Sequence, residues 1–86
     1  LILKIYYELD EIDALLSHLD AMRIFIRRKH DLGYHRDNYL NTIKYTKKLI
    51  EVNPFDKKAK SDLKSEIENV KALAEKSWLI KQVNLL

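Results

Sequence analysis

The sequence predicts an all-α protein, on the evidence of its composition, its turn residues and its apolar spacing. Apolar residues make up 47% of the 86 residues and charged residues 34%, a balance typical of folded helical domains rather than of disorder. One glycine, Gly33, and one proline, Pro54, are too few turn-formers for a β-sandwich or β-barrel. Apolar residues also recur at steps of three and four, which is the spacing of amphipathic helices.

Two helices are predicted in the first third of the chain, from Leu1 to about Leu9 and from about Glu11 to His30. The first is short and apolar on most sides, so its register is not assigned. The second is strongly amphipathic, and Asp10 is expected to cap its first turn because its carboxylate can accept a backbone N–H there. The expected inward-facing residues of the second helix are Ile12, Leu15, Leu16, Leu19, Met22, Phe25 and Ile26.

Two further helices are predicted after a link in which Gly33 takes a left-handed conformation. The third runs from residue 34 or 35 to residue 52 and ends before Pro54. The fourth begins between residues 56 and 60 and continues without interruption to about residue 83. The expected inward-facing residues are Tyr39, Leu40, Ile43, Thr46 and Ile50 in the third helix, and Leu63, Ile67, Val70, Leu73, Ala74, Ser77, Trp78 and Ile80 in the fourth.

Short links between these helices make successive helices antiparallel, so the chain is expected to form packed helical hairpins. One hairpin occupies residues 1–30 and a longer terminal hairpin occupies residues 34–83. A small four-helix bundle and the end of a helical solenoid both satisfy this pattern. The chain also begins inside an apolar pattern without an initiator methionine, and we therefore expect it to be the C-terminal piece of a longer protein.

The segment from Tyr6 to Leu19 resembles the turn region of a tetratricopeptide repeat. Paired aromatics end one helix, a tight turn follows, and the second helix opens with acidic and aliphatic residues. Asp10 stands where that repeat usually has glycine, and Leu15 or Leu16 stands where it usually has alanine. The later residues look like the C-terminal end of tetratricopeptide proteins of unassigned function from the Bacteroidetes. The resemblance implies the end of a right-handed superhelix and a non-enzymatic scaffold that binds a protein or peptide.

Charge is unevenly distributed along the chain. Residues 1–20 carry one lysine and five acids, residues 21–48 carry eight basic residues and two acids, and residues 49–86 carry seven lysines and six acids. The basic middle part predicts a patch for an acidic partner or for nucleic-acid phosphates. A net charge of +3 and the lack of a nucleic-acid-binding motif argue against nucleic acid, and the same cations also fit a solvated helix surface. The patch comprises Arg23, Arg27, Arg28, Arg36, Lys44, Lys47 and Lys48.

Catalytic, metal and cofactor sites are not predicted. His30 and His35 flank the glycine-containing link instead of standing four residues apart on one helix, and His18 is distant from both. The chain has no cysteine, which fits a reducing compartment, and no apolar run long enough to span a membrane. We therefore expect a cytoplasmic protein that is not an enzyme.

Trp78 is predicted to be either a core residue or an exposed interface residue, because it lies within an apolar C-terminal stretch. That stretch and the apolar first helix are expected to leave surface for a partner chain or for self-association. Three functions follow as hypotheses: a protein-binding repeat scaffold, a nucleic-acid-binding protein using residues 21–48, and an oligomerisation module of a larger regulatory or enzymatic protein.

Overall fold

The regular structure is helical throughout the described part of the chain. A computed structural model describes residues 2–29, 31–33 and 35–86. Its elements are α1 (Ile2–Glu8), α2 (Ile12–Arg28), α3 (His35–Glu51), α4 (Lys57–Asn69) and α5 (Lys76–Leu85). The all-α prediction is therefore confirmed. Leu1, His30 and Tyr34, where some predicted helix ends fall, lie outside the described residues.

Helix α3 is the central element of the fold. It packs against α2 on one side and against α4 and α5 on the other, while α1 packs against α2. Met22 and Phe25, near the end of α2, lie beside Tyr39 near the start of α3, whereas Asp20 pairs with Lys47 farther along α3. Helices α2 and α3 therefore run antiparallel, as the short link between them predicts.

Two apolar clusters form the core, one on each side of α3. The first comprises Leu3, Leu15, Leu19, Ile26 and Ile43, and the second comprises Tyr45, Leu49, Leu63, Ile67, Leu73, Leu79 and Val83. Tyr7 and Trp78 pack against both clusters. Their rings meet edge to face with centroids 5.4 Å apart, so an aromatic pair joins the two halves of the core.

Asp10 ends α1, and its predicted role as the cap of α2 is wrong. Glu11 occupies the N-cap position without a side-chain cap hydrogen bond. Asp10 is left-handed, with φ +59°. Its N–H donates to the Tyr7 carbonyl at 3.1 Å, and the Glu11 N–H donates to the Tyr6 carbonyl at 2.9 Å. This bond pair is a Schellman turn, which requires a left-handed residue at the position that Asp10 fills. Gly33 is left-handed as predicted.

The buried face of α2 is narrower than predicted. Leu15, Leu19 and Ile26 are buried, but Leu16 and Phe25 are exposed and do not belong to the core. Both lie about 80–100° around the helix from the centre of the buried stripe. Helix α2 packs against α1 and α3, but these two residues at the edges of the stripe stay exposed to solvent. The other expected residues, Ile12 and Met22, are half-buried.

The buried face of α3 is wider than predicted. Ile43 and Thr46 are buried as expected, but Thr42, Tyr45 and Leu49 are buried as well. Because α3 has packing partners on two sides, its buried surface includes residues that the single apolar stripe did not identify. Tyr39, Leu40 and Ile50 are half-buried.

The predicted fourth helix is two helices, because α4 ends at Asn69 and α5 begins at Lys76. Neither glycine nor proline stands in the link 70–75. Hydrogen bonds from α3 hold its backbone instead. The Asn41 amide donates to the Ala72 carbonyl at 2.8 Å, and the Ala74 N–H donates to the Asn38 carbonyl at 3.4 Å. Tertiary contacts therefore stabilise a break that no local breaker residue marks.

The break changes which residues of the last helix are buried. Leu79, Gln82 and Val83 face inward in α5, whereas Ser77, predicted to be inward-facing, is exposed. In a continuous helix Leu79 would lie about 160° around the axis from Leu63 and would face away from the core. Of the remaining predicted stripe, Leu63, Ile67 and Leu73 are buried, and Val70, Ala74, Trp78 and Ile80 are half-buried.

Replacement of Thr42 by valine is expected to destabilise the fold by about 1–3 kcal/mol, because it leaves a carbonyl of the 70–75 link without its donor. The fully buried Thr42 hydroxyl lies 2.6 Å from the Ala74 carbonyl and 2.9 Å from the Asn38 carbonyl of its own helix, and its single proton suits the shorter contact. Thr46→Val is the matched control, because the equally buried Thr46 hydroxyl bonds to a carbonyl of its own helix at 2.7 Å. Urea denaturation followed by Trp78 fluorescence measures both. Equal losses in the two variants would contradict this role of Thr42.

Candidate functional site

Four of the seven predicted basic residues line one groove between α2 and α3. The groove has a volume of about 430 Å³. Arg23 and Arg27 stand four residues apart on α2, and Lys44 and Lys47 stand three apart on α3, so each pair projects from one side of its helix. The groove is also lined by Leu40, Asn41, Ile43 and Glu51. Antiparallel packing of two amphipathic helices has therefore concentrated positive charge along a partly apolar groove.

One end of this groove is neutralised by acidic residues. The Lys47 ammonium lies 3.0 Å from an Asp20 carboxylate oxygen, and the Arg23 guanidinium lies 3.6 Å from the same oxygen. The hydrogen bond and charge of Lys47, with a further contribution from Arg23, hold the pKa of Asp20 below its usual 3.8. Glu51 lines the groove at the same end, one helical turn beyond Lys47. Little net charge remains at this end.

The other end of the groove keeps its positive charge. Arg27 lies one turn beyond Arg23, and Lys44 lies one turn before Lys47, so antiparallel packing brings them to the same end. Within the described residues, neither makes an ion pair with a carboxylate. The Lys44 ammonium lies 5.4 Å from the centroid of the Tyr45 ring, a contact that does not neutralise its charge. The groove is therefore electrostatically asymmetric.

The three other predicted cations do not line this groove. The Lys48 ammonium contacts Glu66 of α4 at 3.0 Å and lies 5.4 Å from the Tyr45 ring centroid. Arg28 is exposed at the last residue of α2, and Arg36 is half-buried in the first turn of α3. The predicted basic patch is thus divided between different surfaces.

Trp78 lies at the joint between the two core clusters. It is half-buried, and its Nε1 donates to a Glu8 carboxylate oxygen at 3.3 Å. The Tyr7 ring contacts it edge to face. Burial, and secondarily the negative charge of Asp10, raises the pKa of Tyr7 above its usual 10.0. The Trp78 indole therefore connects α5 to α1, and part of the Trp78 side chain remains exposed to solvent.

An apolar stripe on α1 is a surface feature that the sequence pattern does not assign to particular residues. Ile2, Ile5 and Leu9 are 55%, 55% and 66% exposed. They follow one another at steps of three and four, so they share one side of α1 and its end, while Leu3 on another side is fully buried. Because the sequence of α1 is apolar on most sides, it predicts that part of its apolar surface stays exposed. The burial of Leu3 shows that the exposed part is the side with Ile2 and Ile5.

The histidines of the described chain take part in ring contacts. The His18 ring meets Tyr6 with centroids 5.7 Å apart, and His35 lies 6.4 Å from Tyr39. His30 lies outside the described residues. In the described ranges, His, Asp and Glu side chains form no group of three or more that could hold a metal ion. Nor does this part of the chain contain a helix long and apolar enough to cross a membrane.

Comparisons with protein-family models, with curated proteins and with solved structures found no match to this chain.

Proposed function

We propose that this protein is a helical scaffold that binds another protein through the exposed apolar stripe of α1. The observation that carries the proposal is the exposure of Ile2, Ile5 and Leu9, each more than half accessible, on one side of a helix. Single exposed aliphatic side chains are common on protein surfaces, but a contiguous apolar stripe is typical of an interaction site. The proposed role is binding and not catalysis.

The spacing of the stripe suits a helical partner. Residues at steps of three and four form a ridge that packs into the groove of a second helix. Leu3 and Tyr7 anchor the opposite part of α1 to the core, so the stripe is presented on a helix that is already held in place. A partner therefore gains apolar burial without first having to order α1.

The α1–α2 hairpin also supports a tetratricopeptide-like interpretation. Asp10 is left-handed at the position where that repeat usually has glycine, and Tyr6 at the end of the first helix packs against His18 of the second. Hairpins of helical repeats stack side by side, each burying an apolar face against the next. The proposed occupant of the α1 stripe is accordingly a helical hairpin, in the same protein or in another.

The double replacement Ile5→Gln and Leu9→Gln is expected to weaken partner binding about 30-fold, since each side chain contributes about 1 kcal/mol of apolar burial. A photo-crosslinking amino acid placed at Ile5 in the source cells identifies the partner, and titration calorimetry with the purified partner measures the loss. The fold should be unaffected, because both side chains are exposed.

Phe55 provides the matched control for this experiment. Its ring is 92% exposed and lies in the link between α3 and α4, outside α1. Phe55→Gln should leave affinity unchanged, and a crosslinker at Phe55 should not capture the same protein. Equal adducts at Ile5 and Phe55, or unchanged affinity of the double variant, would contradict the proposal. A dimer in light scattering that the double variant dissociates would instead assign the stripe to self-association.

A further inference from the structure

The groove between α2 and α3 contains two arginine–lysine pairs, and only one of them has a carboxylate. Asp20 accepts a hydrogen bond from Lys47 and lies near Arg23 at the first pair. Arg27 and Lys44 form the second pair one helical turn away. Four residues after Asp20, α2 carries the exposed residue Ile24 where a second internal carboxylate would stand.

We propose that the Arg27–Lys44 end of this groove binds a carboxylate side chain of an acidic peptide, with an adjacent apolar side chain of the peptide lying over Leu40 and Ile43. This site is separate from the α1 stripe and does not depend on the function proposed for it. The ligand class is a short peptide in which Asp or Glu alternates with large apolar residues.

Asp20 shows the chemistry that the groove accepts. Its carboxylate is held between a lysine and an arginine that come from two different helices, at 3.0 and 3.6 Å. Arg27 and Lys44 are the corresponding residues of the same two helices, and rotation of the Lys44 side chain away from the Tyr45 ring would bring its ammonium to a carboxylate at this end. Arginine in particular suits a carboxylate because its N–H groups can bind both oxygens. A ligand carboxylate at the second pair would lie between Arg27 and Lys44, as the Asp20 carboxylate lies between Arg23 and Lys47 one turn away.

The apolar base of the groove favours a peptide. Leu40 is half-buried beside the cations, whereas Ile43 is only 3% exposed, so a bound ligand gains charge neutralisation and apolar contact mainly with Leu40. Among the described residues that line the groove there is no aromatic side chain, and nucleic-acid grooves of this kind usually stack bases on aromatics. Asp20 and Glu51 at the far end would also repel a continuous phosphate backbone.

The charge asymmetry predicts the orientation of the peptide. Its carboxylates lie at the Arg27–Lys44 end, and its neutral or basic part lies towards Glu51. Removal of the Asp20 charge would free Lys47 and Arg23 for the ligand. An Asp20→Asn variant is therefore expected to bind an acidic peptide more tightly than the unmodified chain does, which is the opposite of the effect expected for loss of a structural ion pair.

Fluorescence anisotropy with the whole chain and a labelled ten-residue peptide of alternating Glu and Leu tests the proposal. Saturable binding at low salt is expected. The double variant Arg27→Gln, Lys44→Gln should weaken it about tenfold, whereas Asp20→Asn should strengthen it about threefold. Arg28→Gln is the matched control, because Arg28 is adjacent and exposed but does not line the groove, and it should change affinity less than twofold.

Two further ligands separate the alternatives. A peptide of alternating Gln and Leu should bind at least about tenfold more weakly than the Glu peptide, because it lacks the carboxylates. A single-stranded ten-nucleotide DNA or RNA should bind more weakly than the Glu peptide. Equal binding of the Gln and Glu peptides, tighter binding of the oligonucleotide, or equal effects of the Arg28 and Arg27–Lys44 variants would each overturn the proposal. Circular dichroism of every variant verifies that the fold is retained.

Discussion

Replacement of Leu79 by alanine is expected to lower the free energy of unfolding by about 2–5 kcal/mol, the range measured for buried leucines. Leu79 is fully buried in the core cluster between α3, α4 and α5. Its loss removes apolar burial and leaves a cavity between helices that cannot close up completely. A single domain of this size has a total stability of about 5–10 kcal/mol, so the loss is a large fraction of that total and the variant should unfold at a clearly lower urea concentration.

Leu85→Ala is the control in the same helix, because Leu85 is 70% exposed. It should change stability by less than about 0.5 kcal/mol. Urea denaturation followed by the fluorescence of Trp78, the single tryptophan of the chain, gives both values. This pair of variants also tests the break between α4 and α5. If residues 57–83 formed one helix, Leu79 would face away from Leu63, and its replacement would be nearly neutral.

Replacement of Trp78 by alanine is expected to destabilise the protein by about 2–4 kcal/mol, somewhat less than for a fully buried tryptophan. The indole packs against both core clusters, meets the Tyr7 ring and donates to Glu8. Its removal therefore uncouples α1 and α2 from α4 and α5 in addition to exposing apolar surface. Thermal unfolding followed by circular dichroism at 222 nm measures the effect and should show a broader, less cooperative transition.

Two controls separate the contributions of this side chain. Trp78→Phe keeps an aromatic ring against Tyr7 but removes the Nε1 donor to Glu8, and it should cost about 1 kcal/mol. Phe55→Ala removes an aromatic ring that is 92% exposed and should be nearly neutral. If Trp78→Ala is as stable as the unmodified protein, Trp78 does not join the two clusters. The alternative prediction, that Trp78 is an exposed interface residue, would then be favoured.

The candidate groove was predictable in part. Arg23 and Arg27 stand four residues apart, and Lys44 and Lys47 stand three apart, which in a helix places each pair on one side. The charge pattern alone could not separate these four residues from Lys48. The Lys47 side chain faces α2, whereas the ammonium of the adjacent Lys48 contacts Glu66 of α4. That division depends on where α4 packs around α3, which no local spacing encodes.

The α1–α2 turn illustrates a local signal that admits two outcomes. An aspartate just before an amphipathic helix predicts an N-cap, but the same residue can take the left-handed conformation that ends the preceding helix. Here Asp10 does the second. The Schellman hydrogen bonds to Tyr6 and Tyr7 form because α1 must reverse direction within a link of only three residues.

Periodicity and charge are local properties of each helix, so the sequence alone predicts the all-α class, the helical character of residues 12–28 and 35–51, and the basic middle of the chain. The break at 70–75, the burial of Leu79 and the exposure of the α1 stripe depend instead on packing partners that are distant in sequence. Asn38, Asn41 and Thr42 of α3 satisfy the link backbone, so a chain without a local breaker residue can leave the helix there at little cost.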